Sequence, residues 1–104
     1  MRAALISFDK MKVAKKVAII GDMLELGNAT LDEHRDIINC TKKLNFNVTV
    51  FVGEEFEKAR DPQFGLYFSK INTAKKWFSK QNFTSAHILL KASRGIAIER
   101  IIDR

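Results

Sequence analysis

The chain carries one cysteine and one proline among its 104 residues, and one tryptophan and one tyrosine. A lone cysteine excludes an intrachain disulfide framework, and a reducing cytoplasm fits that usage. The lone proline, Pro62, follows Asp61 and marks a stop, since proline disfavours a helical residue before it. No apolar run approaches the ~20 residues needed to span a bilayer. No signal peptide is visible, because the apolar stretch after Met1-Arg2 is short and interrupted by charge. The phosphate loop G-x-x-x-x-G-K-[ST] and the dinucleotide fingerprint G-x-G-x-x-G are both missing, so the chain does not bind ATP in either way. Two histidines and one cysteine give no metal-ligand spacing. There is no internal repeat, low-complexity tract or disordered linker.

What is present is ordinary for a globular domain: 46 % apolar and 29 % charged residues. The length suits one domain, and a domain of this size buries roughly two-thirds of its unfolded surface. The formal net charge is +6. The lysines at 10, 12, 15, 16, 42, 43, 75, 76 and 80 are scattered, which reads as a solvated face. Aromatic and basic residues are not interleaved, so a nucleic-acid surface is not expected.

The chain is organised around Val17 to Gly27, V-A-I-I-G-D-M-L-E-L-G. Val17 to Ile20 is an unbroken apolar run, the pattern of a strand covered on both faces. Gly21 permits a tight exit, and Asp22 then falls at the carboxyl end of the strand, where open α/β sheets place their ligands. The Met23-Leu24-Glu25-Leu26 segment is unusually apolar for a loop and is expected to fold against its own domain or a neighbour. Further strands are predicted at Val48 to Val52, at Leu66 to Phe68 (weak) and at Ala86 to Leu90.

Helices are predicted between these strands. Ala3 to Met11 places Ala4, Leu5, Phe8 and Met11 on one stripe. Thr30 with Glu33 forms a capping box for a helix that buries Leu31, His34, Ile37, Ile38, Thr41 and Leu44. A short helical patch covers Glu54 to Arg60. Asn72 caps a helix from Thr73 to Gln81, with Ala74, Trp77 and Phe78 inward. Ile96 to Asp103 ends the chain and buries Ile98, Ile101 and Ile102. Strands alternating with helices imply right-handed crossovers: a Rossmann-like three-layer α/β domain with a mostly parallel sheet and helices on both faces.

Every candidate polar site then falls at a strand's carboxyl end. Lys91 leaves the last strand, and Ser93-Arg94-Gly95 opens a helix whose free N–H groups and dipole attract anions. Lys91, Ser93 and Arg94 make a carboxylate or phosphate pocket, or Ser93 is an N-cap beside two solvated cations. Asp22 orients a cation or an ammonium group, or caps its own turn. His34, on an apolar stripe, reads as packed rather than catalytic, and His87 as structural. Cys40 has no basic or acidic partner at useful spacing, so it is not read as a nucleophile.

The stretch G-D-M-L-E-L-G at 21 to 27 resembles the signature of the C-terminal domain of MurF-type ligases of the Mur ligase family. His34 falls where that family has a helical histidine. V-F-V-G-E-E at 50 to 55 and L-K-A-S-R-G at 90 to 95, followed by Glu99, resemble further family segments. The opening Met1-Arg2-Ala3-Ala4-Leu5 is similar to the family's N-P-x-S-M lead-in to an apolar helix. The resemblance covers nearly the whole chain.

The resemblance implies a three-domain enzyme of peptidoglycan synthesis, with a domain for the UDP-sugar peptide, a central ATPase domain and this one. There ATP, with Mg²⁺ held in the central domain, phosphorylates the terminal carboxylate of UDP-MurNAc-tripeptide. D-Ala-D-Ala then attacks the acyl phosphate, and an amide forms. This domain would close over the central one and help bind the dipeptide. Asp22, Lys91, Ser93 and Arg94 are the expected substrate-binding residues, Glu25 and His34 the supporting ones, with no metal ligand and no catalytic residue here. Ala92 stands where the family has glycine, which restricts the backbone beside the expected ligand. The family's acidic, Asn-rich segment before the first helix is missing, and the chain ends at Arg104. An excised or truncated domain without ligase activity of its own is therefore expected. The alternative is a stand-alone α/β module that binds a small anionic metabolite in the same crevice.

Overall fold

The computed structural model describes residues 2–23, 30–81, 83, 86–92 and 98–101. Four strands form one sheet: β1 (Lys16–Gly21), β2 (Val48–Val52), β3 (Leu66–Phe68) and β4 (His87–Lys91). Their order is β3-β2-β1-β4, and every pairing is parallel. The fully apolar run at Val17–Ile20 takes a central position with neighbours on both sides, and all six β1 residues are buried. The less buried strands, β3 and β4, form the edges.

Helices α1 (Arg2–Asp9), α2 (Thr30–Lys42), α3 (Glu54–Ala59) and α4 (Ile71–Ser79) precede or connect the strands. The path from β1 through β2 to β3 steps in one direction, whereas the path from β3 to β4 crosses back to the far edge. Right-handed crossovers in opposite directions put their helices on opposite faces. The two cores follow that rule. Ala18, Ile20 and Phe51 pack against Leu5 and Phe8 of α1, Ile37 and Ile38 of α2, and Phe56 of α3. Val17, Ile19, Val50 and Val52 pack against Ala74 of α4 and against Ile98 and Ile101 of a 3₁₀ turn, Ile98–Ile101. This is the three-layer Rossmann-like arrangement expected from the alternation of elements. Asn47 pins the entry to the two central strands: its side-chain oxygen accepts the Lys16 N–H at 2.8 Å, and its own N–H donates to the Lys16 carbonyl at 2.9 Å.

Several local expectations are corrected. Met11 and Leu31, placed on apolar stripes, are 43 % and 39 % exposed, because α1 ends at Asp9 and Leu31 lies in the first turn of α2, at its outer end. α4 begins at Ile71, with Lys70 rather than Asn72 as its N-cap and no side-chain cap bond. Starting two residues earlier lets Ile71 join the α4-side core. Trp77 and Phe78 are half-buried against that core, while Ala74 is fully buried. His87 sits exposed at the start of an edge strand, not inside a buried one. The predicted last helix is described as the 3₁₀ turn alone. The rest of it, including Ile102, and the side chains of the Thr30–Glu33 capping box lie wholly or partly outside the described residues.

Candidate functional site

β1 and β2 end side by side, in register from Val17 opposite Val48 to Gly21 opposite Val52. The Asp22 N–H extends this ladder by donating to the Val52 carbonyl at 3.0 Å. The Asp22 side chain then turns toward α3. One carboxylate oxygen accepts the Glu55 N–H and the other accepts the Phe56 N–H, both at 3.0 Å. These are donors of the first turn of α3, which has no other helical partner for them. Asp22 is 5 % exposed, so its charge is buried, and these N–H groups together with the helix dipole offset the loss of water. The turn-capping reading of Asp22 thus has a counterpart in the structure, but the turn belongs to α3, whose bonded N–H groups lie 33 and 34 residues downstream. Each oxygen keeps a further lone pair.

Gly53 makes this approach feasible. Its backbone lies at φ 129° and ψ 162°, a region used essentially by glycine. A Cβ on Gly53 would land on the Asp22 carboxyl group. The contact between Gly53 and Asp22 joins two strand ends through space, so the order of residues alone does not reveal it.

His34 is fully buried on α2, edge-on to Phe56 with ring centroids 4.5 Å apart. Its Nε2 accepts the Met23 N–H at 3.1 Å and stands 3.8 Å from an Asp22 oxygen. So the helical histidine and the aspartate of the motif, separated by 12 residues, meet at the end of β1.

A crevice of about 440 Å³ opens along this edge, lined by Asp22, Val52, Gly53, Glu54, Glu55, Ser69, Lys70, Ile71 and Asn72. That volume lies in the range of small-molecule sites. Ser69 and Lys70, which join β3 to α4, and Ile71 and Asn72 of the first turn of α4 belong to no site motif in the sequence, where Asn72 reads only as a helix cap. Lys91 ends β4 on the other side of β1, opposite Ile20, and is half-buried. It therefore flanks the strand end that carries Asp22, at the point where successive connections depart in opposite directions, the usual ligand position in open α/β sheets. Ser93, Arg94 and Glu25 lie outside the described residues. Among the described residues no three His, Cys, Asp or Glu side chains converge as a metal site. No described helix is long and apolar enough to cross a membrane.

A comparison with known proteins bears on this edge. The chain is 32 % identical over 94 residues to the UDP-N-acetylmuramoyl-tripeptide–D-alanyl-D-alanine ligase of Borreliella burgdorferi. It is a Mur ligase C-terminal-like domain. The alignment takes in 86 % of this chain and 20 % of the ligase, so the chain spans a fifth of its curated relative. No family model matches it. In this Mur ligase C-terminal-like domain, G-D-M forms the exit of the central strand and V-G-E-E forms the neighbouring strand end and the start of α3. Two separate segments of the sequence resemblance thus meet through Asp22 and Gly53.

Proposed function

We propose that the chain acts as the C-terminal domain of a cytoplasmic, ATP-dependent ligase that joins D-Ala-D-Ala to UDP-MurNAc-tripeptide through an acyl phosphate. Its role would be to help bind the incoming dipeptide and to close over a central ATPase domain. The observation that carries the reading is the crevice at the carboxyl edge of a parallel sheet, anchored by Gly21-Asp22, in a relative of MurF. Lys91, Ser93 and Arg94 bind the dipeptide carboxylate or a phosphate oxygen. Asp22 faces the ammonium end or holds the crevice wall that does, with Glu25 and His34 in support. ATP and Mg²⁺ would be bound mainly by the central domain. Closure would keep water from the acyl phosphate. Nucleic acid and membrane have no part in this role.

The test is an NMR titration of the 104-residue chain with D-Ala-D-Ala and then Mg-ATP, beside an assay in trans. In the assay, the chain is added to a MurF ligase that lacks its own C-terminal domain, and dipeptide-dependent ADP release is measured. Shifts at Asp22, Lys91, Ser93 and Arg94, or ADP release that Lys91→Ala and Arg94→Ala abolish, support the reading. Silence in both experiments at millimolar ligand overturns it.

A further inference from the structure

The hydrogen bond from Met23 to His34 constrains the chemistry of the ring. A ring nitrogen that receives an N–H must present its lone pair, so Nε2 is unprotonated and the neutral imidazole carries its proton on Nδ1. The nearby Asp22 oxygen, at 3.8 Å, is beyond hydrogen-bond range of Nε2. That separation has a visible cause: both carboxylate oxygens are drawn toward the first turn of α3 by the Glu55 and Phe56 N–H groups. His34 and Asp22 therefore hold different parts of the same strand exit. Asp22 ties it to α3, and His34 ties the next residue, Met23, to α2.

We propose that His34 is a proton-sensitive positioning residue: its Nε2 holds the Met23 amide and so directs the chain leaving β1, and protonation at Nε2 releases that hold. Protonation turns Nε2 from acceptor to donor, so it faces the Met23 N–H donor to donor. Asp22 then becomes the attractive neighbour, already within ion-pair distance. Ring and carboxylate draw together, the Met23 amide loses its acceptor, and the crevice wall built on Asp22 shifts with it.

Charged groups on the elements around the ring bear on this balance. From the end of β1 it is Asp22. From α3 the ring meets Phe56, while the half-buried Glu55 carboxylate lies 3.4 Å from the Lys58 ammonium. On α2 itself Glu33 is half-buried, Arg35 is exposed, and Asp36 pairs with Arg2 at 3.3 Å. Lys91 of β4 shares the sheet face of Ile20. The inference rests on the geometry of the β1 exit and does not depend on which ligand the crevice takes.

The test uses the whole 104-residue chain labelled with ¹⁵N. At neutral pH the long-range imidazole spectrum of His34 should show a proton on Nδ1 and a hydrogen-bonded lone pair on Nε2. On acidification, the Met23 amide resonance should move with the same midpoint as the His34 ring. His34→Phe keeps the ring volume beside Phe56 but has no acceptor. Its Met23 amide, corrected for intrinsic exchange, should exchange roughly three- to tenfold faster, the equivalent of one neutral hydrogen bond, and should no longer titrate. His34→Gln, whose side-chain oxygen accepts, should restore slow exchange without the titration. A proton on Nε2 at neutral pH, or a Met23 amide as well protected in His34→Phe as in the parent chain, overturns the proposal. Should His34→Phe fail to fold, the ring tautomer and the shared midpoint in the unaltered chain decide.

Discussion

Replacing Gly53 with alanine probes the joint between the two central strand ends. At φ 129° and ψ 162° an L-residue is strained, at a cost of about 1–3 kcal/mol. The new Cβ also lands on the Asp22 carboxyl group. That carboxylate cannot step aside without leaving the Glu55 and Phe56 N–H groups, and a buried charged group that loses its partners costs about 1–3 kcal/mol more. Together the penalty is roughly 2–6 kcal/mol, a large share of the ~5–15 kcal/mol that holds a typical domain folded. With a urea slope of about 1–3 kcal/mol per molar, the unfolding midpoint should fall by about 1–3 M. The companion experiment repeats Gly53→Ala in an Asp22→Ala background. There the carboxyl group is gone, and the cost should shrink to the backbone part, about 1–3 kcal/mol. A midpoint shift below about 0.5 M, or equal costs in the two backgrounds, refutes the reasoning.

Other outcomes follow from the same structure. Phe51 is fully buried, stacked on Tyr67 at 5.1 Å between ring centroids and packed against Phe56 at 4.9 Å, so Phe51→Ala should cost about 3–5 kcal/mol in chemical denaturation. The Lys42 ammonium, and next the Gln63 N–H, hold the Asp61 carboxyl below its ordinary range. Its contribution is therefore complete above the unfolded carboxylate pKa and is lost as pH falls through the lower folded value; Lys42→Met should flatten this acid limb of stability against pH. Burial, foremost, raises the Tyr67 phenol above its ordinary value. Tyr67 thus favours the fold below its unfolded pKa, and that favour is lost as pH rises through the folded one, so Tyr67→Phe should lessen the alkaline loss of stability measured by circular dichroism.

The fold was legible because its signals are local and repeated. Val17 to Ile20 is apolar without alternation, and only a strand covered on both faces accommodates such a run at low cost. His34, Ile37, Ile38 and Thr41 recur at helical spacing, and all four are buried. Errors gathered at element ends, where neighbours rather than spacing decide. Asn72 is a good cap by composition, yet α4 starts at Ile71 because an apolar side chain there has a core to enter. His87 reads as interior by its apolar followers, but β4 is an edge strand and its first residue faces water.

By itself, the order of residues determined an α/β chain with a parallel sheet, a strand that stops at Gly21-Asp22, and motifs that point to the Mur ligases. Those are properties of short windows, set by side-chain period and by the backbone freedom of glycine. Only the tertiary structure decided which strand ends are neighbours, and so which groups share a site. The order β3-β2-β1-β4 brings Gly53 against Asp22 and lines a crevice with Ser69 to Asn72, residues with no motif of their own. It also decided the partners of Asp22. A carboxylate after a strand reads equally as a ligand group or a turn cap in sequence. The donors of α3 arrive from over thirty residues away, through space, and the chain order alone does not reveal them.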